Sequence, residues 1–198
     1  MGLRSSPRYF FPLFVVSLVS VSYEISLTRY FAIAQWSEYG YWVISIAMGG
    51  FAASGVVISL FKDFFSRKSP IILPLVPILL MISGAVGFFL VTINPFNPLE
   101  LQNSFLWFDQ VINIGKYYLA LFPFFFLSGV YIGLIFVVFQ EDIPKVYAID
   151  LVGASFGAVL VLGLMFWVNP FQLPAIIILP LAVVSLCFIP LEIKNRNA

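Results

Sequence analysis

Long apolar runs separated by short polar turns organise this chain from end to end. Six runs, at 10–34, 41–61, 71–93, 117–139, 146–168 and 172–191, reach the roughly 20 residues that a helix needs to cross a hydrocarbon core of about 30 Å. Lipid offers no hydrogen-bond partner to an open strand, so each run predicts a helix. The turns alternate in charge. Arg4 and Arg8, then Lys62, Arg67 and Lys68, then Lys145, then Lys194 and Arg196 collect on one side, and Lys116 stands on the other. Arg29 falls within or at the end of the first run. By the positive-inside rule the charged side, with both termini, is cytoplasmic. The expected fold is all-α: a polytopic membrane helix bundle of about six transmembrane helices, forming one domain over 1–198.

Composition agrees. The chain is 62% hydrophobic and 10% charged, whereas soluble domains carry about 25% charged residues; its mean hydropathy is +1.05. Such a chain could not cover itself in water. The sequence has no histidine and one cysteine, Cys187. A lone cysteine excludes an intrachain disulfide and a thiolate cluster, and it serves as a small packing residue. Without histidine, few donors remain for a catalytic metal, and haem lacks its commonest ligand. No loop holds a phosphate-cradling glycine run or a nucleophile–base pair. No catalytic residue, cofactor or metal is therefore predicted. The partners expected are membrane lipids and other protein subunits, not nucleic acid.

Two features near the start invite other interpretations. Arg4, Arg8 and the apolar run ending Ser20-Val21-Ser22 mimic a cleavable signal peptide, but apolar residues resume past Glu24 and favour a retained span. Met1-Gly2 with Ser6 matches a myristoylation pattern, although one acyl chain adds nothing to six spans.

Most connections are short, which predicts that sequential helices pack antiparallel as neighbours. The exception is the outer loop at 94–116. After Asn94-Pro95 and Asn97-Pro98, residues Leu101, Phe105, Phe108 and Ile112 recur at helical spacing, with Gln102, Asn103, Asp109 and Gln110 between them. That period predicts an outer interfacial amphipathic helix at 99–115, with Trp107 at the headgroup level. A lid over the bundle is the other arrangement open to it. Pro70 is placed to start the third span, while Pro74, Pro77, Pro123 and Pro180 lie deeper and predict kinks. Clusters such as Phe124-Phe125-Phe126 are packing or lipid-facing surface. No internal repeat relates the two halves.

Small residues set the helix packing. Gly129 and Gly133 form one GxxxG pair and Gly153 and Gly157 another; Gly49, Gly50, Ala53, Ser54 and Gly55 form a strip in the second span, and Ser83 and Gly87 a pair in the third. Without side chains between them, helices approach closely and gain contacts that lipid cannot offer.

Three ionisable residues stand in or near the hydrocarbon: Glu24, Arg29 and Asp150. An intramembrane charge costs about 2.5–3.5 kcal/mol on insertion scales, so it usually faces a partner or a cavity. At 1.5 Å per residue, Glu24 lies about 21 Å along its helix and Arg29 about 28 Å, where Arg29 can snorkel outward. Their separation of roughly 140° around the helix keeps them off one face. Asp150 lies near the cytoplasmic end of the fifth span, where it can complement the helix dipole. It also shares a face with Gly153 and Gly157, at i, i+3 and i+7, which turns it toward another helix or a cytoplasmic partner.

Tyr23-Glu24-Ile25-Ser26-Leu27-Thr28-Arg29, followed by a glycine-rich second span, resembles the opening of bacterial spermidine-synthase-like membrane proteins. The stretch Val146-Tyr147-Ala148-Ile149-Asp150-Leu151-Val152-Gly153-Ala154-Ser155-Phe156-Gly157-Ala158 is similar to their Tyr-x-x-Asp-Leu-x-Gly-Ala-x-x-Gly motif. The resemblance implies a multi-span domain that precedes, in that family, a cytoplasmic domain of aminopropyltransferase-like or methyltransferase-like fold. That soluble domain, with its glycine-rich loop and paired acidic residues, is missing from this sequence. The implied role is a non-catalytic integral membrane subunit of the cell inner membrane. It would be the membrane half of a split spermidine-synthase-like system or an accessory subunit of a larger complex, docking partners on its cytoplasmic face. The alternative is a small oligomeric transporter or channel using Glu24 and Arg29 as a polar path.

Overall fold

A computed structural model describes residues 9–35 and 37–186. Its helices are α1 (Phe10–Ala34), α2 (Gly40–Leu60), α3 (Lys62–Ile93), α4 (Trp107–Val138), α5 (Ile143–Leu164) and α6 (Leu173–Ile177). Among the described residues there is no strand. The first five helices are long and apolar enough to cross a membrane. The sixth apolar run is helical over Leu173–Ile177, turns at 178–179 and is helical again over 180–186, where the description ends. The break falls just before Pro180, whose ring disfavours helical geometry in the residue ahead of it. Arg4, Arg8, Cys187, Lys194, Arg196 and the myristoylation pattern lie outside the described residues.

α1 and α2 begin and end within a residue of the apolar runs, but α3 and α4 are longer, at 32 residues each. At 1.5 Å per residue each is about 48 Å long, more than a hydrocarbon core requires. α3 already starts at Lys62, so Pro70 lies inside the helix and not at its first turn. The interfacial helix expected at 99–115 does not form a separate element. Pro98–Gln102 is a 3-10 turn, and from Trp107 one helix runs on into the span. No proline interrupts 107–122, so helical backbone hydrogen bonding continues through Gly115 into the span.

Helix neighbours are set by small residues, not by connectivity. α2 and α3 are joined by Phe61 alone yet hardly touch; the extensive contacts are α1 with α5, α2 with α4 and α3 with α4. A Cβ built on Gly153 would lie 2.6 Å from the Phe14 carbonyl oxygen, and one on Gly157 would strike Leu18. The register 153 to 14 and 157 to 18 makes α1 and α5 parallel. Gly50 against Phe125, Gly129 against Ser54 and Gly133 against Ile58 make α2 and α4 parallel as well. Gly84 against Phe124 and Gly87 against Ala120 make α3 and α4 antiparallel. Helices 1 and 5, and helices 2 and 4, therefore run in the same sense, as alternating membrane crossings require. Gly49 and Gly55 meet nothing, whereas Gly50 and Ser54 of the second-span strip lie in the α4 contact.

α1 is the most enclosed of the five long helices. Leu13, Val16, Val19, Tyr23 and Leu27 are fully buried along it. The bundle's centre is therefore filled by apolar side chains, with Tyr23 set tilted against Phe124 at 4.3 Å between centroids.

Candidate functional site

Four polar side chains of α1 bond to other helices, while Ser26 and Thr28 bond back to carbonyls of α1 itself. Ser17 Oγ donates to Asp150 Oδ1 of α5. Ser20 Oγ and Ser128 Oγ are hydrogen-bonded at 2.9 Å, and Ser22 Oγ donates to the Gly157 carbonyl at 2.8 Å and Tyr23 Oη to the Gly84 carbonyl at 2.8 Å. These bonds tie α1 to α4, α5 and α3. Hydrogen bonds of this kind contribute about 0.6 kcal/mol on average inside membranes, so they set register more than they set stability.

Asp150 thus belongs to the α1–α5 contact. It lies on the Gly153–Gly157 face, as the i, i+3, i+7 spacing predicts, and is half-buried. The structure does not bring Glu24 and Arg29 together. Arg29 is exposed, and no ion pair joins the two; among the described residues the ion pair is Lys145 Nζ to Asp142 Oδ1 at 2.7 Å.

Glu24 is the unusual residue. It is half-buried in the middle of the bundle's most enclosed helix, and no described residue forms a hydrogen bond or ion pair with its carboxylate. Its place on α1 follows from its neighbours one turn away. Ser20, four residues before, faces Ser128 of α4. Thr28, four residues after, packs against Gly40 of α2, where a Cβ would lie 3.2 Å from Thr28 Cγ2. Glu24 therefore sits on the α1 face flanked by α2. α5 packs on another side of α1 and hardly touches α2, which leaves the seam beside Glu24 open laterally.

A second polar cluster, which pattern alone did not reveal, closes the end of the bundle holding the 94–106 segment. Gln110 and Asn113 of α4 are buried, at 4% and 5% exposure, although they belong to the polar side of the amphipathic stretch. Asn97 N donates to Gln110 Oε1 at 3.0 Å and Gln110 Nε2 to Glu100 Oε2 at 2.6 Å. Asn94 Nδ2 donates to the Asn113 carbonyl, and Asn113 Nδ2 to the Pro95 carbonyl. Lys116 Nζ donates to Asn113 Oδ1 at 2.8 Å. Gln110 and Asn113 point inward onto this segment, while Gln102, Asn103 and Asp109 are exposed together with Phe105, Phe108 and Ile112. The signal available in the sequence was the run Asn94, Asn97, Glu100, Gln110, Asn113, which is rich in amide and carboxylate groups that can satisfy one another. Beneath it, Tyr39, Trp42, Phe96 and Tyr117 form a connected aromatic cluster.

Among the described residues no group of histidine, cysteine, aspartate or glutamate is arranged to hold a metal ion. Fold and site together define a multi-pass α-helical membrane protein. No protein-family model matches the chain, nor does any curated protein or solved structure.

Proposed function

We propose that this chain is a non-catalytic integral membrane subunit that works by associating with other proteins in the bilayer. Its placement in the cell inner membrane with both termini cytoplasmic rests on the charge distribution. Its role as the membrane half of a split spermidine-synthase-like system, or as an accessory subunit of a larger complex, rests on the two sequence stretches around Glu24 and Asp150. The observation that carries the association itself is Glu24: a carboxylate at membrane depth, without an internal partner, on a seam that opens sideways. A carboxylate so placed is stabilised by a donor or cation from outside the bundle, and a polar or basic residue on a neighbouring helix meets that need. Ser17, Ser20, Ser22 and Tyr23 of α1 already have partners within the bundle.

Native purification tests this. Glu24→Leu suits an apolar seam, so the variant is expected to insert at normal abundance and to lose the subunits that copurify with wild type. An unchanged set of copurifying proteins would overturn the proposal. So would solute uptake by proteoliposomes containing this chain alone that Glu24→Gln abolishes, an outcome belonging to the transporter alternative.

A further inference from the structure

Where α3 ends beside the first turns of α4, a groove of about 340 Å³ opens on the side of the bundle. Its walls are Leu90 and Ile93 from α3, Asn94 and Pro95 after it, and Leu119 and Ala120 from α4, with Lys116 at one end. Leu119 is 78% exposed and Ile93 58%, so the groove faces the surroundings of the bundle and not its core. Apart from Asn94 the walls are apolar, and the far end is cationic. Lys116 forms no ion pair among the described residues. Its ammonium is instead held by Asn113 Oδ1, a neutral acceptor that leaves the positive charge uncompensated. Asn113 is itself buried and fixed to the Pro95 carbonyl, so the cation is positioned before any ligand arrives.

Depth fits the same division. Gly87 crosses against Ala120, and α3 ends at Ile93, six residues or about 9 Å further along. Lys116 is one helical turn from Ala120 in the same direction. Leu90, Leu119 and Ala120 therefore lie deeper than Lys116, and Ile93 about 3 Å further out than it. We infer that this groove binds an anionic phospholipid of the outer leaflet, its phosphate on Lys116 and the start of an acyl chain between Leu90 and Leu119. The volume lies in the range of small-molecule sites, and the two chemistries of the groove match the two ends of such a lipid. This inference is independent of the subunit role proposed above.

Lipid titration of the purified full-length chain in detergent, followed by native mass spectrometry, tests it. Wild type is expected to retain one dioleoyl phosphatidylglycerol in preference to dioleoyl phosphatidylcholine. A single cation near a membrane surface contributes about fivefold in affinity, so Lys116→Gln should lower that preference about fivefold and Lys116→Arg should keep it. Ile93→Trp, which fills the groove and leaves the cation, should displace the lipid. Arg67→Gln, at the opposite end of the bundle, should change nothing. Equal preference in wild type and Lys116→Gln would overturn the inference. Displacement of the lipid by an equal concentration of glycerol 3-phosphate would overturn it too, because the apolar groove would then contribute nothing.

Discussion

Single residues in this protein differ by whether their polar atoms are matched inside the bundle. Asp150 has Ser17, and Glu24 has no described partner. The contrast makes Asp150 a clamp whose energy is measurable. Ser17→Ala and Asp150→Leu should each destabilise the bundle, and the double variant should cost less than their sum. The coupling should be about 0.6 kcal/mol and no more than about 1.7 kcal/mol, read from unfolding of the purified protein in detergent. Strict additivity would mean that the two side chains do not act on each other. Asp150→Asn retains an acceptor for Ser17 and should remain folded and inserted. If that variant also loses a cytoplasmic partner, the carboxylate's other oxygen takes part in docking as well.

At the scale of helices, packing depends on places where one backbone touches another. Gly157 has the Leu18 and Ser22 atoms of α1 where a side chain would stand, whereas Gly49 has open space. Gly157→Ala should therefore lower stability, because backbone atoms cannot move aside without separating α1 from α5; overpacking of this kind typically costs about 1–3 kcal/mol. Gly49→Ala should be neutral or stabilising, since alanine favours helix over glycine by up to about 1 kcal/mol. Thermal unfolding of the two variants side by side checks the pair. Loss of stability in Gly49→Ala would contradict the open space beside that residue, and none in Gly157→Ala would contradict the α1–α5 contact. The glycines of the two GxxxG pairs on α4 and α5 stand at close helix contacts. The GxxxG spacing carried no information on their partners: Gly129 and Gly133 meet α2, which runs parallel to α4 and is separated from it by all of α3.

For the whole molecule, parallel pairs and alternating charge make one arrangement. Lys62, Arg67, Lys68 and Lys145 gather where α2 meets α3 and α4 meets α5, and the opposite end holds Lys116 and the polar cluster at 94–116. Reporters fused after residue 66 or 143 should read cytoplasmic, and reporters near residue 38 or 103 external. A cytoplasmic signal at residue 103 would overturn the orientation.

The helical class and the position of most helices were legible from the sequence because hydropathy is a local property. Each run of α1 and α2 states its own length, and lipid permits it one backbone conformation. Asp150 was legible too, since i, i+3, i+7 spacing places it on the face of Gly153 and Gly157 whatever that face meets. Where the amphipathic stretch ended was not legible: Pro98–Gln102 became a 3-10 turn, and continuity of backbone hydrogen bonding joined 107–115 to the span. Which helices pair, that Ser17 reaches Asp150, that Gln110 and Asn113 turn inward and that Glu24 is left on an open seam were decided by tertiary structure alone. In lipid an apolar face gains nothing by hiding from its surroundings, so hydrophobic pattern cannot choose its partner. That choice belongs to close packing and hydrogen bonding between residues far apart in the chain.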